Sequence, residues 1–156
     1  MLFVIDTSTL IILQKLGWLS LCSQSDNEFI WPPSVTQELK IHKAKNREIL
    51  VLLTSGITRE VEIHKHLIIT EISSTDAEVI SLAEEHQATV ISEDIPLREK
   101  ALKLGLSAFS LAVLVTIFYQ HGFLLKDECL ARLKELYGER FLSKSEYHKL
   151  LQGLTS

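Results

Sequence analysis

The chain has 156 residues, 46% hydrophobic and 23% charged, enough apolar material for a single domain, residues 1–156, with one buried core. Its 16 Lys and Arg against 20 Asp and Glu give a net charge of −4. That argues against a protein whose main task is to grip nucleic acid through a basic surface; it leaves open an enzyme that meets nucleic acid at a carboxylate-rich metal site. Apolar runs such as Leu111 to Tyr119 are too short to span a bilayer.

In chain order, Leu2 to Ile5 is a short apolar run that ends at Asp6 and predicts a buried strand. No basic residue precedes it, so Met1 to Leu13 reads as a first strand and helix rather than a secretory signal. Ser8 to Leu19 predicts a helix, and Phe29 to Trp31 a strand stopped by Pro32 and Pro33. A helix follows from about Pro33, since proline suits a first helical turn. Asn46 to Ser55 predicts another, closed by Gly56. Glu60 to Ile72, rich in Val, Ile and Thr, predicts one or two strands. Thr75 to His86 predicts a helix opened by a Thr75–Glu78 capping box. Ala88 to Ile91 is a strand, Ile95 to Leu104 a helix ended by Gly105, and Leu106 to Phe109 a last short strand. Three helices close the chain, near Ser110 to Gln120, Lys126 to Tyr137 and Ser143 to Gln152, the last with a Ser143–Glu146 capping box. Strands alternating with helices imply βαβ units and a mainly parallel sheet. Cys22 and Cys129 form no Cys-x-x-Cys pair and read as reduced thiols of a cytoplasmic protein with no membrane attachment.

In such a sheet ligands bind beyond the carboxyl ends of the strands. Asp6 follows the first strand, Asp94 follows the Thr89 to Ile91 run, Asp76 opens a helix after Leu67 to Ile72, and Glu38 lies about one turn into the helix after Trp31. Singly, each has a plain structural explanation: helix caps for Asp6 and Asp94, a helix-dipole partner for Asp76, a surface position for Glu38. Those explanations do not account for acids following several strands of one sheet. Converging carboxylates repel one another without cations, and hard oxygen donors are what Mg²⁺ or Mn²⁺ binds.

Four segments carrying these acids resemble, in order, the motifs of PIN domains. Phe3-Val4-Ile5-Asp6-Thr7-Ser8 resembles the opening motif, an apolar strand and then Asp-Thr-Ser or Asp-Thr-Asn. Pro33-Ser34-Val35-Thr36-Gln37-Glu38-Leu39 is similar to the second, Pro-x-x-Val-x-x-Glu. Asp76 to Ala83 resembles the third, and Ser92-Glu93-Asp94-Ile95-Pro96-Leu97-Arg98 the fourth, Thr-x-Asp-x-x-Leu-Arg, with Ser for Thr and Leu97 and Arg98 following Asp94. The likeness covers roughly residues 2 to 120 and is closest to standalone prokaryotic members, including toxin-like ones of the VapC type. It implies an α/β fold, a Rossmann-like three-layer sandwich around a mainly parallel sheet. It implies a ribonuclease that cleaves single-stranded RNA with Mg²⁺ or Mn²⁺, often as a homodimer and, in toxin-like members, opposed by an antitoxin protein. Carried over residue by residue, Asp6, Glu38, Asp76 and Asp94 become catalytic metal ligands, with Ser8, Ser92 and Glu93 in support. At the third position Glu78 is a rival, because some standalone relatives carry Gly-Glu-x-Glu there; the expected capping role of Glu78 favours Asp76.

Lys40 and Lys43, in the basic stretch Lys40 to Arg47, and Arg98, one turn beyond Asp94, are candidate contacts for RNA phosphates, with a solvated helix face as the plain alternative for the lysines and pairing with an acid for Arg98. His64 and His66 stand two apart but lack further ligands nearby for zinc. A haloacid-dehalogenase-type phosphotransferase would need Asp at position 8, which is Ser, and a dinucleotide-binding protein would need glycines after the first strand, where Asp6-Thr7-Ser8-Thr9 has none. A PIN-like fold serving as a catalytically weak protein- or RNA-binding module is the remaining alternative.

Overall fold

The structure is a computed structural model describing residues 1–24 and 26–155. The chain divides into two compact units, Met1–Ala108 and Phe109–Ser156. The fold is mixed α/β, with a five-stranded, mainly parallel central sheet flanked by helices.

The strands are β1 (Leu2–Ile5), β2 (Glu28–Trp31), β3 (Arg59–Glu60), β4 (Thr89–Ile91) and β5 (Ala108–Phe109), in the order β3-β2-β1-β4-β5. Strand β1 pairs in parallel with β2 (Val4 opposite Ile30) and with β4 (Val4 opposite Val90), and β2 pairs in parallel with β3. The apolar runs explain the centre of the sheet: Val4, Ile5, Ile30, Trp31, Val90 and Ile91 are all fully buried, as expected of strands covered on both faces. The Phe3 and Phe29 rings meet at 5.0 Å, and Trp31 Nε1–H donates to Thr36 Oγ1 at 2.9 Å.

The helices of the first unit are α1 (Thr7–Leu16), α2 (Pro33–Ile41), α3 (Arg47–Thr54), α4 (Ser74–His86) and α5 (Ile95–Lys103). Helix α1 stops three residues short of the expected Leu19. Gly17 takes a left-handed conformation (φ 72°), Gly17 N–H donates to Gln14 O, and Trp18 N–H donates to Leu13 O, a Schellman ending that ties off the last carbonyls.

Two expectations need correction. Of the one or two strands expected over Glu60 to Ile72, only the two-residue β3 forms. Val61 N–H still donates to Trp31 O of β2 at 2.9 Å, but from His64 on the backbone is held by side chains of α4. Glu85 Oε1 accepts from the N–H groups of His64 and Lys65, each at 2.9 Å, and Ser81 Oγ accepts from Leu67 N–H at 3.0 Å. Helix α4 also begins before the expected Thr75. Ser73 is the cap, its Oγ accepting from Asp76 N–H at 3.1 Å, so no Thr75–Glu78 box forms. Ser73, Ser74 and Thr75 can all cap, and only the chain's approach to the helix decides among them.

In the second unit, α6 (Leu111–Gln120) is capped by Ser110 and buries Leu111, Ala112, Leu114, Val115 and Phe118. Helices α7 (Lys126–Gly138) and α8 (Lys144–Thr155) follow, with Tyr137 and Tyr147 stacked at 4.7 Å. Ser143 Oγ accepts from Glu146 N–H as expected, but the Glu146 carboxylate accepts from the Ser143 hydroxyl instead of from a backbone N–H. Both cysteines are free and buried. Among the described residues no helix is long and apolar enough to cross a membrane.

Candidate active site

Strands β1, β2 and β4 run parallel, so their carboxyl ends share one edge of the sheet. The strand order reverses direction about β1, with β2 on one side and β4 on the other, which is where α/β sheets open a ligand crevice. Asp6 immediately follows β1, and Ser92 immediately follows β4.

Asp6 is 3% exposed. Its backbone stands at the N-cap of α1, but its side chain makes no capping bond of good geometry, only a weak approach to the Thr9 N–H. Oδ2 instead accepts from Ser8 Oγ at 3.0 Å and from Ser92 Oγ at 2.9 Å. Oδ1 is buried without a hydrogen-bond partner of good geometry. Burial pushes the Asp6 carboxyl above its ordinary 3.8, and Thr9, Ser92 and Ser8 oppose that rise. Thr9 thus lies near enough to favour the charge without completing a bond to Oδ1.

The fully buried Ser92 hydroxyl joins two acids, donating to Asp6 and accepting from Asp94 N–H at 3.0 Å. Asp94 does cap its helix: Oδ1 accepts from Leu97 N–H at 3.0 Å. Glu93 enters through its backbone, its N–H donating to Thr9 Oγ1 at 2.9 Å and so binding the β4–α5 turn to α1. Arg98, a candidate phosphate contact, has its guanidinium donating to Ser92 O at 2.6 Å and braces the same turn. Lys40 and Lys43 are exposed, at the end of α2 and in the turn that follows.

Asp76 connects the remaining acids. Its carboxyl is pushed up to about 6, first by burial, then by the negative charges of Asp6 and Asp94 and, more weakly, of Glu38; a hydrogen bond with the Ser73 side chain opposes the rise. The four acids singled out in the sequence therefore share one electrostatic neighbourhood. Glu78 is not among the groups that raise Asp76; it lines cavities between α4 and the segment around His66. Asp76 thus shares the neighbourhood of Asp6 and Asp94, and the capping argument for it falls away.

The donor chemistry suits a hard divalent cation: carboxylate oxygens only, one of them buried and unpartnered on Asp6. The spacing is looser than the chemistry. Among the described residues no group of three or more His, Cys, Asp or Glu side chains stands close enough to hold a metal ion. Mg²⁺ commonly keeps several waters and takes one or two carboxylates together with substrate phosphates, so the residues fit a cation held mainly by water and by one or two of these acids. Thr9 and Ser73 escaped the sequence reading. The Asp-Thr-Ser-Thr run and the Ser73-Ser74 pair were the signals that could have found them.

The whole arrangement, a group of acids at the switch of a mainly parallel β3-β2-β1-β4-β5 sheet, agrees with the family comparison. The PIN-domain family profile matches residues 2–156, and the chain belongs to that family. No curated protein matches the sequence. Among solved structures the chain is similar to a PilT N-terminus domain protein from the archaeon Sulfolobus solfataricus, at 21% identity and TM-score 0.51, covering 73% of this chain and 90% of that one. A domain of a protein of unknown function from Methanocaldococcus jannaschii is similar at 15% identity and TM-score 0.50, covering 70% and 90%. The PIN domain endonuclease Utp24 is similar at 17% identity and TM-score 0.51, covering 70% and 84%. At these identities the likeness to solved structures speaks for the fold.

Proposed function

We propose that the chain binds single-stranded RNA across the acidic crevice and is a slow endoribonuclease dependent on Mg²⁺ or Mn²⁺. The observation that carries the reading is Asp76, pushed up to about 6 beside three other carboxylates, with Asp6 Oδ1 buried and unpartnered at the same edge. Such a cluster is relieved by a cation, and RNA phosphate then meets the cation instead of bare carboxylates. When bound, the cation supplies Lewis-acid activation of water and neutralises charge on the phosphodiester. The protein's own part is positional. Ser8 and Ser92 hold Asp6 by one oxygen, and the Leu97 N–H holds Asp94. Asp76, raised by burial and by its neighbours' charges while the cluster is bare, is the acid that would gain most from a cation and would help hold one. The endonuclease named among the similar structures lends support from the family side.

A second reading, an RNA- or protein-binding module with negligible cleavage, is favoured by the lack of three converging ligands among the described residues. Labelled single-stranded RNA incubated with Mg²⁺, Mn²⁺ or EDTA separates the two. Slow cleavage abolished by EDTA supports the nuclease, binding without cleavage moves the module reading ahead, and cleavage that survives EDTA defeats the metal mechanism. A toxin role, with an antitoxin partner, requires growth arrest on expression that Asp6→Asn relieves. A homodimer requires light scattering at twice the chain mass.

A further inference from the structure

At the same edge of the sheet lies a cavity of about 160 Å³. It is lined by Ser34 and Gln37 of α2, Glu78 of α4, and Glu62 and His66 of the segment after β3. Ser34 lies one helical turn before Glu38 on the same face of α2, which follows the carboxyl end of β2, and Glu62 follows the carboxyl end of β3, so the cavity opens at the same edge of the sheet as the acids. Ser34 Oγ makes no hydrogen bond and has almost no open surface, so it bounds the cavity. The Glu62 and Glu78 carboxylates can only accept hydrogen bonds when charged, and the Gln37 amide can both give and take.

A ligand here must therefore present donors to a carboxylate, must be small, and must reach the cavity while its phosphate lies in the crevice. Among RNA bases only guanine carries two adjacent donors, N1–H and the N2 amino group, on its Watson–Crick edge. That edge matches a carboxylate in the bidentate manner, and unstacked bases of single-stranded RNA are read in this way, by edge hydrogen bonds and by stacking on rings such as the His66 imidazole. Glu78, on helix α4 and less exposed than Glu62, is the carboxylate fixed well enough to do it. We infer that this cavity is a guanine-selective base pocket in which Glu78 reads the base edge and Ser34 and Gln37 bound it. The inference rests on the RNA-binding reading above.

The test measures binding of short single-stranded RNAs in Mg²⁺, over times short against cleavage. A series of oligouridines carries G, inosine, A, C or U at one central position. The G oligomer should bind about tenfold tighter than its inosine counterpart, which lacks only the N2 amino group, as expected for one hydrogen bond to a charged acceptor. In Glu78→Gln that preference should vanish, while oligouridine binding stays within about twofold and the melting temperature is unchanged. Binding that is tight but blind to the central base overturns the pocket and leaves the RNA reading standing, as does a guanine preference that survives Glu78→Gln. Absence of binding to every oligomer overturns both.

Discussion

Asp76→Asn should stabilise this protein above neutral pH and have no stabilising effect in acid. In the folded chain the Asp76 carboxyl sits at about 6 against an ordinary 3.8, so between those values the folded state holds a proton that the unfolded chain has released. Stability from this group is therefore highest below 3.8 and is lost as pH rises through 6. At about 1.4 kcal/mol per tenfold, the full difference corresponds to about 3 kcal/mol. Asp76 is only half-buried, and solvent screening brings this to about 1–2 kcal/mol at pH 8. The amide of Asn has the same shape and no charge, so it escapes that cost. For a chain of this size, a gain of about 1–2 kcal/mol raises the melting temperature by about 3–6 °C. The assay is thermal unfolding of both proteins in EDTA and low salt, from pH 4 to pH 8. The gap should open between about pH 4 and pH 6, the window set by the two values, stay constant above it, and close when Mg²⁺ is added, because the cation relieves the wild-type cluster and not the variant's. A variant less stable than wild type at pH 8, or a gap of equal size at both ends of the pH range, would refute the electrostatic reasoning.

Asp6→Asn should abolish stabilisation by divalent cation, which in the wild type reaches about 2.7 kcal/mol at a hundredfold excess over Kd; melting curves with and without Mn²⁺ check this. Ser92→Ala removes the hydroxyl shared by Asp6 and Asp94 and should lower cation affinity or cleavage by about 10–100-fold without preventing folding, as a titration and circular dichroism would show. Both cysteines should resist thiol reagents in the native protein at neutral pH and react once it is unfolded, since burial raises both thiols, that of Cys22 to about 12. Glu85→Ala should free the amides of His64 and Lys65, seen as faster hydrogen exchange confined to the segment after β3; uniform exchange rates would refute it.

Much of this protein is legible in its sequence because the signals are local. Leu2–Ile5, Glu28–Trp31 and Thr89–Ile91 are short apolar runs that a doubly covered sheet demands, and Pro33, Ser110 and Ser143 mark helix starts by chemistry confined to one turn. Asp6 and Asp94 could be placed at one sheet edge because parallel strands put their carboxyl ends together. What the sequence left undecided depends on groups distant in the chain. Whether the segment from His64 to Leu67 forms a strand turned on Glu85 and Ser81, which take the backbone N–H groups that a neighbouring strand would otherwise bind. The local sequence suggests a Thr75–Glu78 capping box that Ser73 replaces, and only the fold brings the charges of Asp6, Asp94 and Glu38 to bear on Asp76. The same separation explains Ser92: 86 positions from Asp6, it becomes the hydroxyl that orients that carboxylate only when β4 lies beside β1.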